Sequence, residues 1–179
     1  MFFGFLEYFS GLVCVVAIIW IAVVMISSLI YWIIRRLKKP KLKDILVKVE
    51  KSEDIGSAYF DKLTKASIKS TDELLKKGAT PEGRKEIENA TGIGNDLIFK
   101  WINIADMLRI RDMNIEYIYL LKEAGVNSVV EFAQRNPEVF YKILVEINNR
   151  TKLVSKPPSV DVVRDWIEQA KKLPQIIEY

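Results

Sequence analysis

The sequence predicts an all-α protein: one N-terminal transmembrane helix, then a compact helical domain built by internal duplication. Three observations carry that expectation. A long uncharged stretch opens the chain, the rest falls into helical periodicity with strong start signals, and no sustained period-two run with hairpin turns occurs.

The opening stretch comes first. Between Glu7 and Arg35 there is no charged side chain, a gap of about 27 residues. A helix of that length rises roughly 40 Å, enough to cross a hydrocarbon core of roughly 30 Å with some tilt. Backbone in lipid must satisfy its own hydrogen bonds, which makes a helix the form for a single span. A cleaved signal peptide would need a basic start, a short apolar run and a small-residue cleavage site. Instead the first ten residues carry Glu7 and no Lys or Arg, and Arg35-Arg36-Leu37-Lys38-Lys39 follows the apolar run directly.

Arg35, Arg36, Lys38, Lys39, Lys41 and Lys43 crowd one flank of the stretch. The positive-inside rule places the C-terminal body in the cytoplasm and the short N-terminus outside. These six side chains are also the expected membrane-surface contacts. Tyr8 and Phe9 at one end, and Tyr31 and Trp32 at the other, suit the two interfacial belts. Gly11, Cys14 and Ala17 recur every three residues, a spacing at which small side chains let a neighbouring helix approach.

Composition excludes much chemistry. Of 27 Lys/Arg and 23 Asp/Glu, four and one precede residue 41, so the remainder holds 23 and 22 and is close to neutral. The pI near 9.0 therefore reflects the juxtamembrane cluster. A nucleic-acid binder usually carries a basic surplus that this body lacks on average. Cys14 is the only cysteine, so no intrachain disulfide or CxxC pair can form, and there is no histidine. The commonest general base and the commonest zinc ligand are both missing. No catalytic role, cofactor or metal is expected.

Residues 1–39 read as the anchor, 40–52 as a linker with a short amphipathic piece, and 53–179 as a cytoplasmic domain of two repeats, about 53–110 and 111–174. Pro40 predicts a break near Lys39. A shift of 58 residues lays Asp54-Ile55-Gly56 on Asp112-Met113-Asn114, Tyr59 on Tyr117, Leu63 on Leu121 and Ile68 on Val126. Ser70-Thr71-Asp72-Glu73 falls on Ser128-Val129-Val130-Glu131, giving each copy an S-x-x-E capping box. Thr80-Pro81-Glu82 answers to Asn136-Pro137-Glu138, in each case an N-cap, a first-turn Pro and an acid. Each copy ends in a longer amphipathic helix with a Trp. One places Leu97, Ile98, Trp101, Ile102, Ala105 and Leu108 inward, with Asn103 and Asp106 mostly opposite. The other opens at Pro158-Ser159 and turns Val160, Val163, Ile167, Ala170 and Leu173 inward.

The stretch Gly78-Ala79-Thr80-Pro81-Glu82-Gly83-Arg84-Lys85-Glu86-Ile87, then Thr91-Gly92-Ile93 and Trp101-Ile102-Asn103-Ile104-Ala105-Asp106, resembles a prokaryotic domain-of-unknown-function family numbered 4332. Leu121-Lys122-Glu123-Ala124-Gly125-Val126, Ala133-Gln134-Arg135-Asn136-Pro137 and Trp166-Ile167-Glu168-Gln169-Ala170 continue the likeness, which runs from about Glu53 to Pro174. The resemblance implies a duplicated fold similar to helix-hairpin-helix proteins, whose Gly-hydrophobic-Gly turns point backbone amides at a phosphate. The hairpin positions here read Asp54-Ile55-Gly56 and Asp112-Met113-Asn114, and an aspartate repels phosphate.

Arg109 and Arg111 flank the second of these positions and are the candidate hairpin contacts. Trp101 and Trp166, repeated at equivalent places, read as core. Thr91-Gly92-Ile93-Gly94 with Asn95 lacks the lysine and spacing of a P-loop and reads as a helix start. Glu86, Glu88 and Asp106 read as solvated carboxylates. The expectation is a membrane-anchored cytoplasmic scaffold, an accessory subunit of a membrane complex. Its partners would be the lipid bilayer, other membrane subunits or itself, and a cytoplasmic protein; nucleic acid is not the expected partner. The alternative is a membrane tether that binds nucleic acid through degenerate hairpins.

Overall fold

Leu42, Ile45, Leu46 and Val49 recur at three- and four-residue spacing, and together they form the buried side of helix α1 (Leu42–Glu50). The computed structural model describes residues 19–30 and 40–179, which fall into two units, Met1–Lys39 and Pro40–Tyr179. Within the first unit, residues 19–30 are helical. Their large side chains are exposed all round the helix, Trp20 at 71% and Met25 at 68%. Among the described residues no helix is long and apolar enough to cross a membrane. The ends of the expected span, the candidate packing residues Gly11, Cys14 and Ala17, and the flanking Arg35, Arg36, Lys38 and Lys39 lie outside the described residues.

From Pro40 onward every regular element is an α-helix. After α1 come α2 (Glu53–Lys65), α3 (Thr71–Gly78), α4 (Pro81–Thr91) and α5 (Asn95–Met107), then α6 (Ile115–Glu123), α7 (Val129–Ala133), α8 (Pro137–Thr151) and α9 (Val160–Lys172). The segment read as a linker is thus a core helix. A two-residue connection, with Lys51 in the left-handed region, turns α1 back against α2. Gly56 makes that close crossing. A Cβ there would lie 2.5 Å from Val47 Cα and Val47 N.

α2–α5 and α6–α9 repeat one plan. After each first helix the backbone enters the left-handed region, at Ser67 (φ 62°) and Gly125 (φ 74°). There Ile68 N donates to Leu63 O at 2.8 Å, and Val126 N donates to Leu121 O at 3.0 Å, closing the helix with the long back-bond of a Schellman turn. Each next helix opens on a serine cap. Glu73 N donates to Ser70 Oγ and Glu131 N to Ser128 Oγ, while Glu73 and Glu131 reach back to the amides of Lys69 and Asn127. Thr80 and Asn136 then cap the Pro-initiated helices through Gly83 N and Val139 N. The last helices start from Gly94 and Ser159 and have 13 residues each.

The copies diverge between their third and fourth helices. Gly92 to Gly94 makes a tight turn in the first copy, whereas Lys152 to Ser159 makes a longer loop in the second. Buried Asn148 holds that loop by accepting from Val154 N at 2.9 Å and donating to Val154 O at 3.0 Å.

α5 departs from the amphipathic reading. From Trp101 to Met107 every residue is buried, including Asn103 and Asp106. The helix packs against α3 and α4 of its own copy and against α6 and α7 of the other, so it has no solvent face in its second half. Its polar groups find local partners instead. Asn103 Nδ2 donates to Phe99 O at 3.0 Å, and Asp106 pairs with Arg109. In α9, Val163, Trp166, Ile167 and Ala170 point inward as expected, while Val160 and Leu173 are only half-buried.

Candidate functional site

A set of titratable groups gathers where α1 meets both copies. Glu50, at the end of α1, accepts a hydrogen bond from Trp101 Nε1 at 3.1 Å, and Lys100 Nζ approaches the same oxygen at 3.6 Å. From α6, Tyr119 Oη donates to Val49 O at 3.3 Å, and Lys48 pairs with Glu116 at 2.6 Å. Burial raises the Tyr119 phenol, and the Glu50 charge raises it further. Burial, with the like charge of Lys100, lowers Lys122. The Lys48 hydrogen bond lowers Glu116 against a smaller opposing effect of burial. α1 is thereby tied to the first copy through Glu50 and to the second through Val49 and Lys48. Trp101 apart, none of these residues stood out in the sequence as a candidate site. Glu50 has no motif around it, and its donor Trp101 lies 51 positions away.

Arg109 and Arg111 flank the turn between α5 and α6. Arg109 is engaged within the fold. Its guanidinium pairs with Asp106 and donates twice to Pro174 O, at 3.1 and 3.2 Å. Asp106 is raised above its ordinary value by burial, against the opposing pull of Arg109. Arg111 is exposed, with Asp165 at 3.9 Å and Asp112 at 4.0 Å, and its backbone amide donates to Gln169 Oε1 at 2.8 Å. Lys41 and Lys43 are exposed beside and within the first turn of α1.

The two triplets read as hairpin positions are not equivalent turns. Asp54-Ile55-Gly56 lies in the first turn of α2, capped by Ser52. Asp112 adopts φ 64° in the connection before α6, and Asn114 is that helix's N-cap. The Gly-hydrophobic-Gly turn sits at Gly92-Ile93-Gly94, with Gly92 at φ 66° and Ile93 buried. Beyond it, Asn95 N donates to Glu88 Oε1 at 3.2 Å. A carboxylate therefore already takes one of the free amides at the start of α5.

Arg84 is buried, which the sequence did not suggest. It donates to Gly78 O and Ala79 O at 3.1 Å and to Glu178 O at 2.9 Å, and stacks 4.8 Å from the Phe99 ring centre. Glu178 N returns a bond to Ala79 O at 2.9 Å, and the Tyr179 ring meets Phe99 edge-on. The segment after α9 is thus strapped onto the first copy. Beside its start, Val129, Ala133, Ala170 and Leu173, with Asp106 and Gln175, line a half-open cavity of about 220 Å³. Trp101 and Trp166 are 1% and 2% exposed, and Glu86 is exposed. Among the described residues no His/Cys/Asp/Glu group has the makings of a metal site.

No solved structure gives a significant match to the chain. The model of the family described as "Domain of unknown function (DUF4332)" matches residues 53–173, from the first residue of α2 to just past the end of α9. The match takes in both copies and most of the chain, so the protein belongs to the DUF4332 family.

Proposed function

We propose that the protein is a membrane-anchored scaffold, an accessory subunit whose helical body faces the cytoplasm and docks other proteins of a membrane complex. The observation that carries this reading is the helix at 19–30. Its side chains are almost all apolar, and those such as Ile19, Trp20, Val23 and Met25 are exposed around its circumference. A helix apolar on every side needs lipid or other apolar helices around it. The sequence on both sides of this helix is also uncharged, back to Glu7 and on to Arg35, a stretch long enough to span a bilayer, and the basic flank fits a cytoplasmic body.

Support also comes from how α1 is held. The chain leaving the basic flank enters a helix bonded to both copies, so a tether there bears on the whole domain. Alkaline carbonate extraction of native membranes, followed by protease digestion from the cytoplasmic side, tests the reading. Retention in the membrane with a digestible body supports it; release by carbonate, or a body reached only from outside, overturns it.

The turn at Gly92-Ile93-Gly94 favours one second reading, a membrane tether for nucleic acid. The Glu88 carboxylate at Asn95 N weighs against it. Binding of duplex DNA at low salt, where electrostatic attraction is strongest, separates the two. No binding there removes this reading.

A further inference from the structure

The hairpin of α1 and α2 is electrically lopsided. Its register follows from Gly56 lying against Val47. Antiparallel pairing about the connection at 51–52 then sets Lys41 level with Lys62, with Lys65 one turn further along. Lys69 lies four residues on, beyond the turn that ends α2. Lys77 comes to the same place from α3, since its Nζ donates to Ala66 O at 3.2 Å. The open end of the hairpin thus gathers Lys41, Lys43, Lys62, Lys65, Lys69 and Lys77, all exposed and, among the described residues, none in an ion pair. Asp44, Asp61, Asp72 and Glu73 stand among them, but Glu73 is turned onto the amides of Lys69 and Ser70. The turn end is the reverse, with Glu50, Glu53 and Asp54 around Lys51.

Lysines at the C-terminal end of α2 complement its dipole and need no further explanation. Lys41 and Lys43 are different. They occupy the N-cap and first turn of α1, where the dipole disfavours cations and the first amides lack a side-chain cap. Cations placed there gain nothing from the helix dipole; Asp44 is the one acid of that turn, and an external anion would favour both lysines.

We propose that this lysine-rich end is a docking face for a bilayer surface bearing anionic phospholipid headgroups, and that it holds the body flat against the membrane. This docking rests on the anchored reading. Lys41 is two residues from Lys39, so a chain that crosses the bilayer brings this end, and not the acidic turn, to the headgroups. Lys62, Lys65, Lys69 and Lys77 thereby extend the juxtamembrane charge into a folded surface, within reach of an attraction that fades beyond a Debye length.

The test uses the full chain in nanodiscs of phosphatidylcholine alone or with phosphatidylglycerol. Lysine acylation rates are read by mass spectrometry, with exposed Lys142 and Lys172 as internal references. With phosphatidylglycerol, Lys62, Lys65, Lys69 and Lys77 are expected to label about fivefold more slowly, the factor for one lysine at an anionic surface. The effect should vanish in about 1 M salt, where the screening length falls to about 3 Å. In the variant Lys62→Gln/Lys65→Gln/Lys69→Gln, at exposed sites that leave the core intact, protection of Lys77 should be lost. Equal labelling in both lipids by a chain that stays in the disc, or Lys77 protection that persists in the variant, overturns docking and leaves the anchor standing. A chain that never enters the disc overturns both. Protection by duplex DNA on uncharged discs, without protection by phosphatidylglycerol, assigns the face to nucleic acid and overturns the proposal.

Discussion

The ring of Tyr59 meets the ring of Trp101 edge-on, with centroids 5.1 Å apart. Tyr117 and Trp166 repeat the pairing at 5.0 Å, so each copy closes its first helix onto its last through a tyrosine and a tryptophan. The two pairs differ in their other partners. Trp101 also donates to Glu50, which belongs to α1 and to neither copy. The first copy's aromatic pair is therefore one of the points where the duplicated core is joined to the helix that leads in from the basic flank.

That difference makes the two tryptophans unequal. Trp101→Phe should destabilise the domain by about 1–2 kcal/mol more than Trp166→Phe, because it also removes the indole donor from Glu50 and leaves that carboxylate with Lys100 alone. Denaturant unfolding of the two variants, side by side, checks the order. Equal losses would show that the Glu50 bond contributes little.

Gly56→Ala should cost about 1–3 kcal/mol, since the new methyl meets backbone 2.5 Å away. Val47→Ala should not rescue it, because the clash is with the Val47 backbone rather than its side chain. Thermal melts of the single and double variants decide this.

Arg84→Met should free the chain end. It leaves the carbonyls of Gly78 and Glu178 without the Arg84 donor and Ala79 O with the Glu178 amide alone, at about 1–3 kcal/mol for a buried orphan. Hydrogen exchange at the Glu178 amide, bonded to Ala79 O in the native fold, should accelerate well beyond that of core amides in α5. Unchanged exchange would mean that buried Ile177 and the aromatic contact with Phe99 suffice to hold the strap.

Two carboxylates should give opposite pH responses. Glu116 is lowered below its ordinary 4.5 by Lys48, so its contribution is present above that value and is lost as pH falls through the lowered one. The pair is about half exposed, so Glu116→Gln should cost under about 1 kcal/mol and only above the acid range. Asp106 is raised above its ordinary 3.8 by burial, so its contribution is present below that value and is lost as pH rises through the raised one. Asp106→Asn should therefore be at least as stable as the native chain at neutral pH, with the advantage shrinking on acidification. Melting temperatures across the acid range test both signs.

Much of the fold is legible in the residues themselves, and for local reasons. The S-x-x-E boxes at Ser70 and Ser128, the capped prolines at Pro81 and Pro137, and the tyrosines 58 positions apart are signals written within a few residues or repeated at a fixed spacing. What escapes depends on contacts between distant elements. Asn103 and Asp106 sit on the polar side of their own helix, and their burial depends on segments distant in sequence, such as Val129, Ala133 and Gln175 around Asp106. Arg84 looks like any surface arginine until Glu178, 94 residues on, returns to cover it. The hairpin glycines are misplaced when the spacing of 58 is carried unbroken to Asp54 and Asp112. Helix α2 begins at Glu53, further ahead of Tyr59 than Ile115 stands ahead of Tyr117, so one triplet falls inside a helix and the other before one. The true turn at Gly92–Gly94 has no short counterpart in the second copy.

The most direct test of the scaffold reading is the size and composition of the native protein after extraction in mild detergent. The protein is expected to migrate with other polypeptides, cross-linked through the helical body, in a particle much larger than one chain and its micelle. A single chain migrating alone, from membranes in which it was fully retained, would contradict the scaffold role.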